Sequence, residues 1–318
     1  MFLESFKVTG IGVLQIFILG AIGYFLVKRQ ILSEEGLANL SRITVEITFP
    51  IMIFTRLVTN FSFDMYPNWW LFPLISFGVN LSGFLLGAIF TKFIHGQEHK
   101  MQFLSLATFQ NSGWLPLALA AAMLTQAKLE AMFIYLFLFL LGFDLAVWSF
   151  GVYMLTFHMA TKFELRNFFS PPVIANIFSL LIIFLGLHTF IPQAVIKPLQ
   201  MAGDTTLPLA LFVVGGNLAA IRLSKVDKKA MGLMILSKLI ILPLIGLWFV
   251  LKLRLPELIG LLIVMQLAMP SATSLSLIIR HHRKEDLYIS QGIFFGHIVS
   301  LLTIPVFLSL YFSLTQAR

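Results

Sequence analysis

The chain alternates long apolar runs with short polar connections, and within each run the apolar positions are continuous rather than spaced every second residue. A helix that crosses a bilayer needs about 20 mostly apolar residues. Ten stretches meet that demand: 8–28, 37–59, 69–94, 101–122, 130–157, 171–190, 199–221, 229–252, 256–279 and 287–312. A membrane barrel would show period-two alternation, so the pattern predicts an all-α integral membrane protein without strands. The connections are too short to hold a soluble domain. The few residues before the first run include Glu4 and Lys7, and no small-x-small cleavage site follows the run cleanly. The run therefore reads as a spanning helix rather than a leader.

Polar residues inside the runs recur at a fixed offset. Run 2 contains Glu46-Ile-Thr-Phe-Pro50 and run 7 contains Asp204-Thr-Thr-Leu-Pro208, each with an acid four residues before a proline and a threonine two before it. Run 4 is interrupted by Asn111-Ser-Gly-Trp-Leu-Pro116, and run 9 by Gln266-Leu-Ala-Met-Pro270-Ser-Ala-Thr273. Both pairs are separated by five helices. Five is odd, so the two halves must cross the membrane in opposite senses. This is the mark of inverted-repeat transporters. The expected organisation is ten transmembrane helices as a five-plus-five inverted repeat, residues 1–160 and 161–318, with broken crossover helices 4 and 9.

Charge then sets orientation. The odd-numbered connections hold 13 basic residues, among them Lys28, Arg29, Lys92, Lys100, Lys162, Arg166, Arg222, Lys225, Arg280, Arg283 and Lys284. The even-numbered ones hold Lys128, Lys197, Lys252 and Arg254. The positive-inside rule puts the odd connections in the cytoplasm and both termini outside it, in a multi-pass protein of the cell (plasma or inner) membrane. Trp69 and Trp70 sit where an outer interfacial anchor belongs.

Composition agrees. Of 318 residues, 58% are hydrophobic and 11% charged, against about 25% charged in soluble domains. The net charge of +8 lies mostly in the connections, which fits anionic lipid headgroups and not nucleic acid. With no cysteine, disulfides, thiolate catalysis and thiolate metal sites are excluded. No Walker motif, Gly-x-Ser-x-Gly or His-Glu-x-x-His is present, so neither ATP-driven transport nor common hydrolase chemistry has support, and the chain does not read as an enzyme. No sensory domain is visible either.

A proline within a spanning helix frees backbone groups that lipid cannot satisfy. Around Pro116 the sequence supplies Gln110, Asn111, Ser112 and Gly113; around Pro270 it supplies Gln266, Ser271, Thr273 and Ser274. These residues predict two unwound helices whose half-helix N-termini offer N–H groups and positive dipole ends to a small organic anion. A plain proline kink, satisfied by neighbouring helices, is the competing reading. Intramembrane charges cost roughly 2.5–3.5 kcal/mol each on insertion scales, so Glu46, Asp144, Asp204 and Lys238 each call for a reason. Glu46 and Asp204 could carry protons, hold Na+ or brace the unwound helices; a structural ion pair in the bundle interior is the competing reading for each acid. Lys238 could draw in substrate or neutralise an acid. His297 reads as a satisfied interior histidine and Arg56 as a snorkelling side chain. His281-His282-Arg283-Lys284 reads as a solvated turn, because no further ligands complete a metal site. No cofactor is expected beyond a coupling H+ or Na+.

These motifs resemble the auxin efflux carrier family, which includes plant PIN auxin carriers and bacterial malate and malonate permeases. The resemblance runs from run 1 to run 10. It rests on Leu19-Gly-Ala-Ile-Gly-Tyr24 with Lys28-Arg29-Gln30, on Thr48-Phe-Pro50, on Asn111-Ser-Gly-Trp-Leu-Pro-Leu117, on Pro171-Pro172, on Leu207-Pro208 with Gly216-Asn-Leu218, on Gln266-Leu-Ala-Met-Pro270, and on Phe295-Gly296 with Pro305. It implies a transport domain and a scaffold domain, a helix 4/helix 9 crossover at the substrate site, and a homodimer. By that match Asn111, Pro116, Gln266 and Pro270 are crossover residues. The stretch 161–170 is short, unlike the long hydrophilic loop of plant carriers. The resemblance is therefore to the compact bacterial branch, and it points to small mono- or dicarboxylates rather than to auxin. Bile-acid/sodium symporters share a similar design, which keeps cation coupling open.

Overall fold

A computed structural model describes residues 2–156, 169–221, 223, 226–281 and 287–316. The basic residues Lys162, Arg166, Arg222 and Lys225, the turn residues 282–284 and the expected 160/161 boundary lie outside these described residues. So do the side chains of Arg280 and His281.

Thirteen helices account for almost all of the described chain. They are α1 (Phe2–Lys28), α2 (Glu34–Asn60), α3 (Leu71–Phe93), α4 (Gln97–Thr108), α5 (Trp114–Met123), α6 (Gln126–Leu155), α7 (Pro171–Phe184), α8 (Gln193–Asp204), α9 (Thr206–Ala219), α10 (Lys228–Leu253), α11 (Glu257–Ala268), α12 (Ser274–His281) and α13 (Leu287–Gln316). Among the described residues no strand forms; the β-type pairing is a single isolated bridge, Gln110 with Ser271. Six helices, α1, α2, α3, α6, α10 and α13, are long and apolar enough to cross a membrane. Helices α5, α7 and α11 are shorter apolar segments.

Local chemistry fixes many ends. The Ser33 hydroxyl caps α2 by accepting from the Gly36 N–H, and the Asp227 carboxylate caps α10 by accepting from Ala230. Pro171 opens α7 at its first turn, where a missing N–H costs nothing. Gly186, at φ 70°, turns the chain after α7. Run 6 therefore ends at Phe184 and not near 190. Run 7, expected as one helix, is two: α8 and α9 meet at Thr205. Pro208, in the first turn of α9, cannot donate to the carbonyl of Asp204 and its ring crowds it, so the helix restarts there. Two other intrahelical prolines, Pro50 and Pro243, are each preceded by a widened π turn, Thr44–Thr48 and Leu236–Ile241. A third π turn, Val147–Gly151, lies near the end of α6.

Burial is uneven. In α6, the central helix, 67% of the most apolar window is buried, against 22% in α1. Lipid-facing rows run along the outer helices, such as Leu74, Phe77, Leu81 and Leu85 on α3 and Ile174, Ile177 and Leu181 on α7. Helices α4 and α11 are different. Gln102–Thr108 and Gly260–Ala268 are buried at every position, so these short helices are wrapped by protein. Only there can irregular backbone exist at membrane depth. Small residues set the closest crossings. A Cβ on Gly215 would collide with the Gly20 carbonyl, and one on Gly23 with the backbone of Phe212, so α1 and α9 touch through their main chains.

Candidate functional site at the helix crossover

Two pairs of short helices, α4/α5 and α11/α12, are each separated by an extended break, 109–113 and 269–273. The breaks cross and bond to one another. The Asn111 N–H donates to the Pro270 carbonyl (2.7 Å), and the Ala272 N–H to the Phe109 carbonyl (3.0 Å). A helix that stops leaves its last carbonyls without partners. Here side chains from elsewhere supply them. The Ser271 hydroxyl donates to Leu106 (2.7 Å) and Lys238 Nζ to Ala107 (2.9 Å), while the Gln266 amide donates to the Ser112 carbonyl inside the other break (3.1 Å).

A cavity of about 220 Å³ lies against this crossover. Gln110, Asn111, Ser112, Gly113 and Trp114 line it from one break, and Ala272, Thr273 and Ser274 from the other. The N-termini of α5 and α12 therefore both reach its wall. The remaining walls come from Ser41, Val45 and Phe49 of α2, the Leu140–Trp148 stretch of α6, Ser170 and Pro172 at the start of α7, and Val213 and Asn217 of α9. These parts of α2, α6, α7 and α9 are the portions nearest the odd-numbered, basic connections, so the cavity lies toward that face. The Phe49 and Trp114 rings meet beside it in a tilted arrangement, centroids 4.8 Å apart. Both amide atoms of Gln110 and the Asn111 Nδ2 are buried without a protein partner. Buried amides are nearly always paired, so these two amide nitrogens and one amide oxygen stand out as polar groups that the protein itself leaves without a partner.

The family model described as membrane transport protein matches residues 10–156 and 154–308. The chain belongs to this family, that of the auxin efflux carriers. An uncharacterized transporter of Methanocaldococcus jannaschii is 28% identical to it over 217 residues, 65% of this chain and 68% of that protein. Family membership makes the chain a multi-pass membrane transport protein, of a family that is not enzymatic in general.

The predicted site residues divide into two groups. Asn111, Ser112, Gly113 and Thr273 line the cavity. Gln266, Pro270 and Ser271 instead bind the two breaks together, and Pro116 lies buried in the first turn of α5, where its missing N–H is tolerated. Of the intramembrane charges, Asp144 alone lines the cavity. Glu46 pairs with Arg42 one turn before it (3.0 Å) and is half exposed. Asp204 pairs with Arg56 (2.8 Å), which also binds Glu130 (2.6 Å). Arg56, expected to snorkel, is thus a bridge among α2, α6 and α8. Lys238 is 1% exposed, against the broken end of α4, and not in the cavity wall. His297 is buried, its Nδ1 against the Ile293 carbonyl (2.8 Å), beside a separate apolar cavity of about 250 Å³ between α1 and α9. Asn217, Ser41 and Trp148 were not singled out as site residues. Asn217 had a signal, an amide inside an apolar run; Ser41 and Trp148 had none.

Proposed function

We propose that this protein is a secondary carrier of small organic anions, carboxylates such as malate, malonate or an auxin-like acid, working by alternating access at the crossover. The observation that carries the reading is the convergence of two half-helix N-termini and the free amides of Gln110 and Asn111 on one cavity. Helix N-termini and backbone N–H groups favour anions, and neutral amides orient a carboxylate without trapping it by charge. The cavity lies below the roughly 300–1,000 Å³ of sites for drug-sized ligands, which favours an acid of a few carbons.

In this reading the helices make ten crossings. α4 with α5, α8 with α9 and α11 with α12 count as one crossing each, and the inverted halves 1–160 and 161–318 contribute one break apiece to the crossover. Both termini lie outside the cytoplasm, and the cavity then faces inward. One bundle moves against the other and carries the crossover across, in a chain that pairs with a second copy as a homodimer.

The test is reconstitution in liposomes with labelled malate, malonate, lactate and indole acetate. Saturable movement of one acid is expected. Failure of folded protein to move any of them would remove carboxylates as the substrate class.

A further inference from the structure

We propose that Asp144 is a proton carrier: each carboxylate enters the crossover cavity together with one proton, held between the Asp144 carboxyl and the substrate. This rests on the carboxylate reading above and adds the coupling ion and its seat.

Asp144 lies on α6, in the wall of the same small cavity as Asn111, Gly113 and Thr273. It is the single titratable side chain among the described lining residues. From α2 the cavity meets Ser41, Val45 and Phe49; the charged residues of that stretch, Arg42 and Glu46, are paired with each other and take no part in the lining. From α7 it meets Ser170 and Pro172, and from α9 Val213 and Asn217. Lys238 is committed to the Ala107 carbonyl, and Arg56 is held by Glu130 and Asp204. Among the described residues no cation reaches the cavity to offset a second negative charge.

Two carboxylates brought together in a small site with no cation beside them disfavour double ionisation, so one holds the proton. The donors present, two helix ends and amides, suffice for one anion. The step is then balanced. Water on the more acidic side gives a proton to Asp144. The protonated carboxyl donates its O–H to the substrate carboxylate, and the loaded site crosses. On the far side the substrate leaves as the anion and Asp144 returns its proton to water. A monocarboxylate moves without net charge, and a dicarboxylate carries one net negative charge.

The experiment uses the full chain in sodium-free liposomes with labelled lactate and malonate. An imposed pH gradient is expected to drive uphill lactate accumulation, at about one proton per lactate and with no response to membrane potential. Asp144→Asn is expected to abolish that uphill drive, and Asp144→Glu to keep it with a displaced pH profile. Binding supplies a readout independent of flux. Apparent malonate affinity, read as thermal stabilisation in detergent, is expected to fall up to tenfold per pH unit on the alkaline side of the Asp144 titration, and to be flat over that range in Asp144→Asn. Carboxylate movement that ignores the pH gradient overturns this proposal alone. So does an Asp144→Asn protein that keeps uphill drive or pH-dependent affinity. Movement of no carboxylate by folded wild type overturns the parent reading with it.

Discussion

Gln266, on the last turn of α11, reaches across the crossover to donate its amide to the carbonyl of Ser112, 3.1 Å away. Neither residue is accessible to solvent, at 0% and 1% exposed. The bond links the two breaks side chain to main chain, where the backbone links Asn111–Pro270 and Ala272–Phe109 do so main chain to main chain. Removing one partner of a buried hydrogen bond costs about 1–3 kcal/mol, because the other is left unsatisfied. Gln266→Leu is expected to lower the melting temperature in detergent and to abolish transport, since the breaks lose their register. A Gln266→Leu protein with wild-type stability would show that the bond is dispensable.

Asn111 separates the other way. Its backbone N–H holds the crossover, whereas its side-chain Nδ2 has no protein partner and lies in the cavity wall. Asn111→Ala keeps the backbone bond and removes an idle amide. Stability is expected within about 1 kcal/mol of wild type, while transport falls at least about tenfold, the worth of one hydrogen bond to an anion at roughly 1.5–3 kcal/mol. Full transport by the folded variant would place the substrate elsewhere.

Much of this arrangement is legible in the sequence, for physical reasons. Length and continuity of the apolar runs define helices because lipid admits almost nothing else. The breaks announce themselves through Pro116 and Pro270 with their flanking amides. What does not show is which polar side chain meets a protein partner and which is left facing the cavity. Gln266 and Asn111 look alike in the chain; only the fold aims the Gln266 side-chain N–H at Ser112 and leaves the Asn111 Nδ2 without a protein partner. The partners of the charges are hidden for a similar reason. Glu46 and Asp204 stand out by their matching motifs, yet each meets an arginine, Arg42 or Arg56, brought by helix pitch or by tertiary packing. Asp144 carries no motif and reaches the cavity through the position of α6 at the centre of the bundle.

The α1/α9 crossing gives a stability test that does not depend on substrate. A Cβ at Gly215 runs into the Gly20 carbonyl, whereas one at Gly232 on α10 meets nothing within 4 Å. Gly215→Ala forces two backbones apart at an overpacking cost of about 1–3 kcal/mol. Gly232→Ala replaces an open helical glycine and gains up to about 1 kcal/mol. Melting temperatures are expected to move in opposite directions. A harmless Gly215→Ala would mean that the two helices are not in main-chain contact.

Arg56 ties the face remote from the cavity. Its guanidinium binds Glu130 at 2.6 Å and Asp204 at 2.8 Å, and Asn60 adds a second bond to Glu130 at 2.7 Å. Three helices, α2, α6 and α8, are thus held together, and the Arg56 and Glu130 side chains are only 21% and 19% exposed. Partial burial makes such a pair worth more than the 0–1 kcal/mol of an exposed one. A carrier that alternates must release this network when that face opens. Glu130→Gln removes one of the two carboxylate charges that hold Arg56 and favours the opposite state by about 1–2 kcal/mol, a population change of roughly 5–30-fold. The chain has no cysteine, so Thr273→Cys places a lone thiol in the cavity wall. In liposomes of known orientation, a membrane-impermeant maleimide is expected to label that thiol from the side of the odd-numbered connections. With Glu130→Gln added, labelling from that side should slow and labelling from the other side should appear. Labelling from one side alone, at an unchanged rate in the double variant, would make the network a brace within a fixed bundle rather than a gate.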